Sequence, residues 1–287
     1  MKKINTALIG KDERFKKCYD TLNKYSKLIS VFPLNTKIDK DKNKFYFKDF
    51  QNFYKSIKKF NIKYVFCAGY GKYIKYDLIK KSNSKWINLH ASIIPNYRGG
   101  SPLNWSIINK EKYSGVTMLE MTSGIDTGPI ILQSKFKMLN NDYNFVSKKA
   151  SLVSSQLVEK FFKNPNKYWS NRKKQNLNAG SYFTTRQPKD SFVSFKKNTD
   201  AEIMQHYKAL KKPIPLAFFN YGNLKIELIK ISLVSFNVYG PPGRIAGKIN
   251  GKFIIIAKNR GINIEKICFK NKIYRAEDIL KTGTDAN

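Results

Sequence analysis

The run Tyr64–His90, YVFCAGYGKYIKYDLIKKSNSKWINLH, decides the fold. YVFCAG (64–69) is a short, unbroken apolar run ending in glycine and reads as a buried strand. KYDLIKKS (75–82) reads as a short helix and WINLH (86–90) as a further strand. A strand–helix–strand unit returns its second strand parallel to the first. The same rhythm runs upstream: INTALIG (4–10) reads as a strand, Arg14–Tyr25 as a helix, LISVF (28–32) as a strand and FQNFYKSIKKF (50–60) as a helix. Downstream, GVTMLEM (115–121) and GPIILQSKF (128–136) add two strands. NFVSKKASLVSSQLVEKFF (144–162) is a long amphipathic helix, with Asn140–Asp142 placed to cap it. Residues 1–185 therefore predict an α/β domain with a doubly wound, mostly parallel sheet.

Residues 164–190 are polar, carry Pro165, Gly180 and Pro188, and read as a connector. AEIMQHYKAL (201–210) suggests a helix. From 223 onward the pattern changes to short strands, NLKIELIKISLVSF, GRIAGKI, GKFIIIAK and GINIEKICF, with turns at 240–243, 250–251 and 259–261. Residues 186–287 thus predict a smaller C-terminal β-barrel-type domain, OB-like in character.

Composition narrows the context. Cys18, Cys67 and Cys268 are odd in number and widely spaced, so neither a disulfide framework nor a zinc pattern is expected, and no metal is. No apolar run nears the roughly 20 residues of a membrane helix, and MKKINTALIG lacks the apolar region of a signal peptide. The expected setting is the cytoplasm, with no membrane partner. The formal charge of +34 invites nucleic acid. Only seven of the 54 basic residues are Arg, however, and residues 187–287 carry +10 against +24 for 1–186, so the charge is diffuse. With lysine, asparagine and isoleucine all abundant, it reads as a compositional bias rather than a built nucleic-acid surface.

The first strand leads into GKDERF, without the GxGxxG of dinucleotide-binding folds. Ligands of open α/β sheets sit beyond the carboxyl ends of the strands, and Asn88 and His90 lie at such an end. Residues two apart share a strand face, so both enter one crevice. Gly69 and Gly71 follow the neighbouring strand. Asp126, in the glycine-flanked loop TSGIDTGPI, can bring a carboxylate to the imidazole. Histidine shuttles protons near neutral pH, and an amide donates to an oxyanion. Ser92 and Ser101 lack a nucleophile-elbow setting, which points to direct reaction between two substrates. The plainer alternative is a strand-end histidine and a turn-forming aspartate. The second histidine, His206, reads as a surface residue.

The block NLHASIIPNYRGGSPLNWSIINKEKYSGVTMLEMTSGIDTGPIILQ (88–133) resembles the signature region of the folate-dependent formyltransferases. Its Asn-x-His, Pro-x-x-Arg-Gly loop, Gly-Val-Thr strand and Asp-Thr-Gly turn match in order and spacing. The resemblance implies N10-formyltetrahydrofolate as formyl donor and a primary amine as acceptor. It also implies Asn88 as oxyanion donor, His90 as general base or proton shuttle, and Asp126 as its orienting partner. The pterin is expected against Lys72, Tyr73 and Ile74, with Met121, Thr122, Ser123, Gly124 and Ile125 lining the same pocket. Gly100 stands where the sugar-modifying branch often has a second Arg; Arg98 is read as pinning its own loop. SPLNWSIIN (101–109) resembles sugar-modifying members, which makes a nucleotide-linked amino sugar, as in cell-surface polysaccharide synthesis, the expected acceptor. Methionyl-tRNA is the alternative: PLNTKIDKDKNKFYF (33–47) lacks the Gly-Arg-Gly element of the tRNA-penetrating loop. A folate deformylase and a non-catalytic RNA-binding protein on the same fold rank lower. The C-terminal module is a candidate homodimer interface.

Overall fold

A computed structural model of the chain describes residues 3–139 and 142–287. The expected cap at Asn140 and Asn141 lies outside the described residues. In chain order the first part contains β1 (Asn5–Gly10), α1 (Asp12–Tyr25), β2 (Lys27–Pro33), β3 (Phe45–Tyr46), α2 (Phe50–Lys59), β4 (Tyr64–Ala68), α3 (Tyr76–Lys81) and β5 (Lys85–His90). There follow β6 (Arg98–Gly99), α4 (Pro102–Ile108), β7 (Tyr113–Glu120), β8 (Ile130–Lys137), α5 (Tyr143–Lys163), α6 (Pro165–Ser170) and β9 (Tyr182–Phe183). Seven strands form one sheet in the order β3-β2-β1-β4-β5-β7-β8. All pairs from β3 to β5 are parallel.

The last two strands, β7 and β8, run antiparallel to their neighbours. The direct loop between them carries no crossover helix, and a parallel return needs one. This reversal positions the site. Leu119 lies opposite Asn88, and the Met121 N–H bonds the Trp86 carbonyl, 2.9 Å away. The following loop starts level with Trp86 and reaches Asn88 and His90 across the face of β5.

β4 and the core of β1 are apolar on both sides because helices cover both faces. On one face Ala7, Ile9, Val65, Cys67 and Trp86 pack against Phe53 and Ile57 of α2 and Ile79 of α3. On the other, Tyr64 and Phe66 meet Phe161 of α5 edge-on, with ring centroids 5.1 and 5.9 Å apart. Asp49 caps α2 by accepting the N–H groups of Gln51 and Asn52 at 2.9 and 3.0 Å. All three cysteines are buried and free. Burial pushes the Cys18 thiol up to about 12, so it has no thiolate character at neutral pH.

The chain divides into two compact units. The first runs to Leu103 and takes in Lys112–Leu139 and Phe145–Thr185; the second holds Asn104–Glu111 and Arg186–Asn287. The second unit contains α7 (Asp200–Ala209), β10 (Phe218–Tyr221), β11 (Leu224–Leu233), β12 (Ile245–Ile249), β13 (Lys252–Ile256), β14 (Gly261–Phe269) and β15 (Lys272–Arg275). Its antiparallel sheet runs β10-β11-β14-β13-β12, with β15 on β14. The segment after β15 joins the two outer strands. Asn287 exchanges both backbone bonds with Asn220 of β10, at 2.7 and 2.8 Å, while Ala286 N–H donates to Gly243 and Ile245 N–H to Thr284. That bridge gives the sheet its barrel character. A Thr199–Glu202 capping box starts α7. His206, read as a surface residue, is half-buried on α7, and desolvation pushes its pKa below the usual histidine value.

The Tyr64 hydroxyl is buried and has no hydrogen-bond partner among the described residues. Removing an unpaired buried polar group is neutral to stabilising. Tyr64→Phe is therefore expected to change unfolding free energy by zero to about +1 kcal/mol in urea melts; a loss beyond about 1 kcal/mol would reveal a partner for the hydroxyl.

Candidate active site

Asn88 and His90 project from the face of β5 that also carries Trp86. The Trp86 indole N–H is tied to Ser82 Oγ at 2.9 Å, and its ring is fixed in the core under α2 and α3. The loop after β7 covers this face. Gly128 holds the loop close, because a Cβ there would overlap the Glu120 carbonyl. Asp126 sits in this loop in the left-handed region, at φ 53°.

The three expected groups converge. The Asn88 amide donates to Asp126 Oδ1 at 2.9 Å. Asp126 Oδ2 accepts the Gly99 N–H at 2.9 Å and lies 3.3 Å from His90 Nδ1. The two side chains are largely buried, His90 at 7% and Asp126 at 11% exposure. The other ring nitrogen, Nε2, is 2.7 Å from the Tyr97 carbonyl. Both neighbours of the ring are acceptors: the Tyr97 carbonyl takes a hydrogen bond from Nε2 when that nitrogen carries hydrogen, and the Asp126 carboxylate lies within ion-pair distance of Nδ1.

Residues 97–99 grip the site from the opposite side. Tyr97 stacks on Phe183 with ring centroids 4.5 Å apart, and β6 pairs with β9. Arg98 is fully buried. Its guanidinium donates to Gln175 Oε1 at 3.0 Å and to the carbonyls of Asn176, Ala179 and Leu177 at 3.1, 3.2 and 3.5 Å, and it lies over the Tyr182 ring. Arg98 does pin the loop. Gly100 follows because a Cβ there would strike the Thr185 backbone, so this chain has no room for the second Arg of the sugar-modifying pattern.

Sequence reasoning missed the other half of the site. The segment 164–190, read as a connector, contains α6 and β9 and supplies Gln175, whose Nε2 donates to the carbonyls of Asp126 and Gly128 at 2.8 and 2.7 Å. A glutamine in an Asn- and Lys-rich stretch gives no local signal of this. Of the expected pterin contacts, Ile74 and Met121 pack into the core cluster, while Tyr73 and Ile125 are exposed at their loop tips. Lys72 lies in the loop between β4 and α3, and Thr122, Ser123 and Gly124 in the loop between β7 and β8. Ser92 Oγ is tied to the Asn96 carbonyl at 2.9 Å, away from any nucleophile role. Among the described residues no cluster of His, Cys, Asp or Glu suits a metal ion, and no helix is long and apolar enough to cross a membrane.

A Rossmann-like α/β unit with an acid–amide–imidazole cluster on the face of its sheet, followed by an antiparallel β unit, defines a two-domain class of protein. Residues 16–152 match the formyl transferase domain and residues 186–283 the formyl transferase C-terminal domain. The chain belongs to the formyl transferase family.

A methionyl-tRNA formyltransferase of Finegoldia magna is 30% identical over 178 residues, covering 61% of this chain and 56% of that protein. The chain thus spans about half the length of that curated relative. A sugar 3N-formyl transferase, WlaRD, solved in the presence of dTDP and 5-N-formyl-THF, superposes with a TM-score of 0.60 at 23% identity, over 95% of this chain and all of its own. HypX from Aquifex aeolicus in complex with tetrahydrofolic acid superposes with a TM-score of 0.68 at 14% identity, over 98% of this chain and 47% of its own.

The buried guanidinium makes a stability prediction. Lysine offers one point charge in place of a planar fork and leaves several of the four acceptors unmet. Arg98→Lys is expected to destabilise the first unit by about 3 kcal/mol in urea or thermal melts; a change under about 0.5 kcal/mol would show that the fork is dispensable.

Proposed function

We propose that this chain transfers a formyl group from N10-formyltetrahydrofolate to a primary amine, and that the amine belongs to a nucleotide-linked sugar. The observation that carries the chemistry is the Asp126 carboxylate held at once by Asn88, His90 and the Gly99 N–H. When bound, the folate supplies the activated one-carbon acyl unit. Lys72, Tyr73 and Ile74 would hold its pterin together with Met121, Thr122, Ser123, Gly124 and Ile125. These two loops suit a flat, partly apolar ring system, since Ile74 and Met121 anchor them in the core while Tyr73 and Ile125 keep apolar surface free.

Asn88 Nδ2 has two N–H groups and gives one to Asp126. The other serves the formyl oxygen as charge develops there. His90 moves the proton released by the attacking amine. Taking it up requires a vacant ring nitrogen, so the Nε2 bond to the Tyr97 carbonyl opens for that step while Asp126 keeps hold of Nδ1. The ring, now protonated at both nitrogens, can regain the Tyr97 bond or pass the proton on to the departing nitrogen.

Two observations support the sugar acceptor. The solved sugar 3N-formyl transferase superposes along its whole length. The region that would form a tRNA-penetrating arm is folded back on its own unit: Tyr46 Oη is 2.6 Å from Tyr19 Oη and accepts the Asp41 N–H, while Lys44 pairs with Asp41. The second reading, methionyl-tRNA, is favoured by the Finegoldia magna relative and by the +34 charge.

Incubation with formyltetrahydrofolate and a panel of dTDP- and UDP-linked amino sugars, alongside charged initiator tRNA, separates the two. Formylation of a sugar is expected; formylation of tRNA alone would replace the acceptor. His90→Ala should lower turnover about 10²–10⁴-fold and Asn88→Ala about 10²–10³-fold. Turnover near that of the unmodified chain in either variant would remove that residue from the chemistry.

A further inference from the structure

We propose that Gln175 is a positioning residue that sets the Asp126 carboxylate, and through it the His90 ring. The inference rests on the reading of Asp126 and His90 as the reacting centre. It stands on the closed circuit of bonds in which Gln175 lies.

Asp126 belongs to a loop without helix or strand hydrogen bonds, and its left-handed backbone is an unfavourable conformation for a residue with a Cβ. Something outside the loop must hold it. Gln175 supplies both of its amide hydrogens, one to the carbonyl of Asp126 and one to that of Gly128, at 2.8 and 2.7 Å. These two bonds bracket the turn that aims the carboxylate.

The amide has one workable orientation. Turned over, its oxygen would face two carbonyls and its nitrogen would face a guanidinium. Arg98 enforces the correct sense by donating to Oε1 at 3.0 Å, and Arg98 is itself immobilised by three further carbonyls and complete burial. The circuit then closes through the backbone. The next residue, Gly99, donates its N–H to Asp126 Oδ2, and the preceding residue, Tyr97, offers its carbonyl to His90 Nε2. Three consecutive residues thus reach His90, Gln175 and Asp126. Gln175 is the member that joins the Arg98 side chain to the Asp126 backbone. Without it the turn loses the two bonds that bracket the Asp126 backbone, and the carboxylate's orientation is left to its own contacts with Asn88, His90 and the Gly99 N–H.

Two isosteric variants separate positioning from bulk packing. Gln175→Glu keeps an acceptor for Arg98 but places a carboxylate oxygen against two carbonyls. Gln175→Met keeps the length and removes every polar bond. The chain has two histidines, so ring ¹H–¹⁵N spectra of the full chain are simple, and His206→Gln assigns the signals.

Both glutamine variants are expected to shift the His90 ring resonances and leave those of His206 in place. In the transfer assay, kcat should fall towards about 10²-fold, the scale of a misplacement of about 1 Å, while KM for the amine changes less than about twofold. His90 resonances that coincide with those of the unmodified chain in a folded Gln175→Glu protein would overturn the proposal. Should Gln175→Met fail to fold, the Gln175→Glu spectrum decides alone. An unmodified chain that transfers no formyl group would sink the formyl-transfer reading, and the spectra would still test whether Gln175 sets the His90–Asp126 pair.

Discussion

A carboxylate taken out of water is tolerated only where donors meet its oxygens. Asp126 is largely buried, and its oxygens face an amide, a backbone N–H and an imidazole. These partners come from two stretches of chain and the acid from a third: β5 supplies Asn88 and His90, β6 supplies Gly99, and the loop after β7 supplies Asp126. Displacing any one of them leaves the anion short of partners. The need to satisfy this one group therefore fixes the relative placement of the strand, the arginine-bearing loop and the aspartate turn.

The sheet topology makes that meeting possible. A fully parallel sheet would have sent the chain after β7 towards its strand-end loops. The antiparallel β7 instead delivers the aspartate turn across β5, beside the two residues it must touch. Strain at Asp126 and close approach at Gly128 are the local consequences, and the buried Arg98 with Gln175 offsets them from the far side. The second unit reaches its own closure by a separate device, the bridge of Thr284–Asn287 between β10 and the start of β12.

Much of this was legible in the sequence because it depends on local pattern. Apolar runs of strand length alternating with amphipathic helices specify the wound sheet, and the two-residue spacing of Asn88 and His90 puts them on one face. The glycine-flanked Asp126 was visible as a turn acid, and the linked motifs around it carried the family resemblance. The antiparallel direction of β7 was missed, since apolar alternation records no strand direction. Gln175 was missed because its meaning comes from contacts 49 residues away to Asp126 and 77 residues away to Arg98. The Tyr97 carbonyl and Gly99 N–H are backbone groups, which sequence does not distinguish. The segment holding Gln175 read as a connector because its composition is polar; polar side chains are what a buried guanidinium and a strained turn require.

If one carboxylate organises the site, its charge is the property to remove. Asp126→Asn keeps the shape and turns an acceptor pair into an amide that cannot accept at both positions. Single-turnover formyl transfer by Asp126→Asn, measured beside its binding of 5-formyltetrahydrofolate, tests this most directly. The account predicts folate binding close to that of the unmodified chain with transfer slowed by about 10²–10⁴-fold. Transfer at the unmodified rate would contradict it.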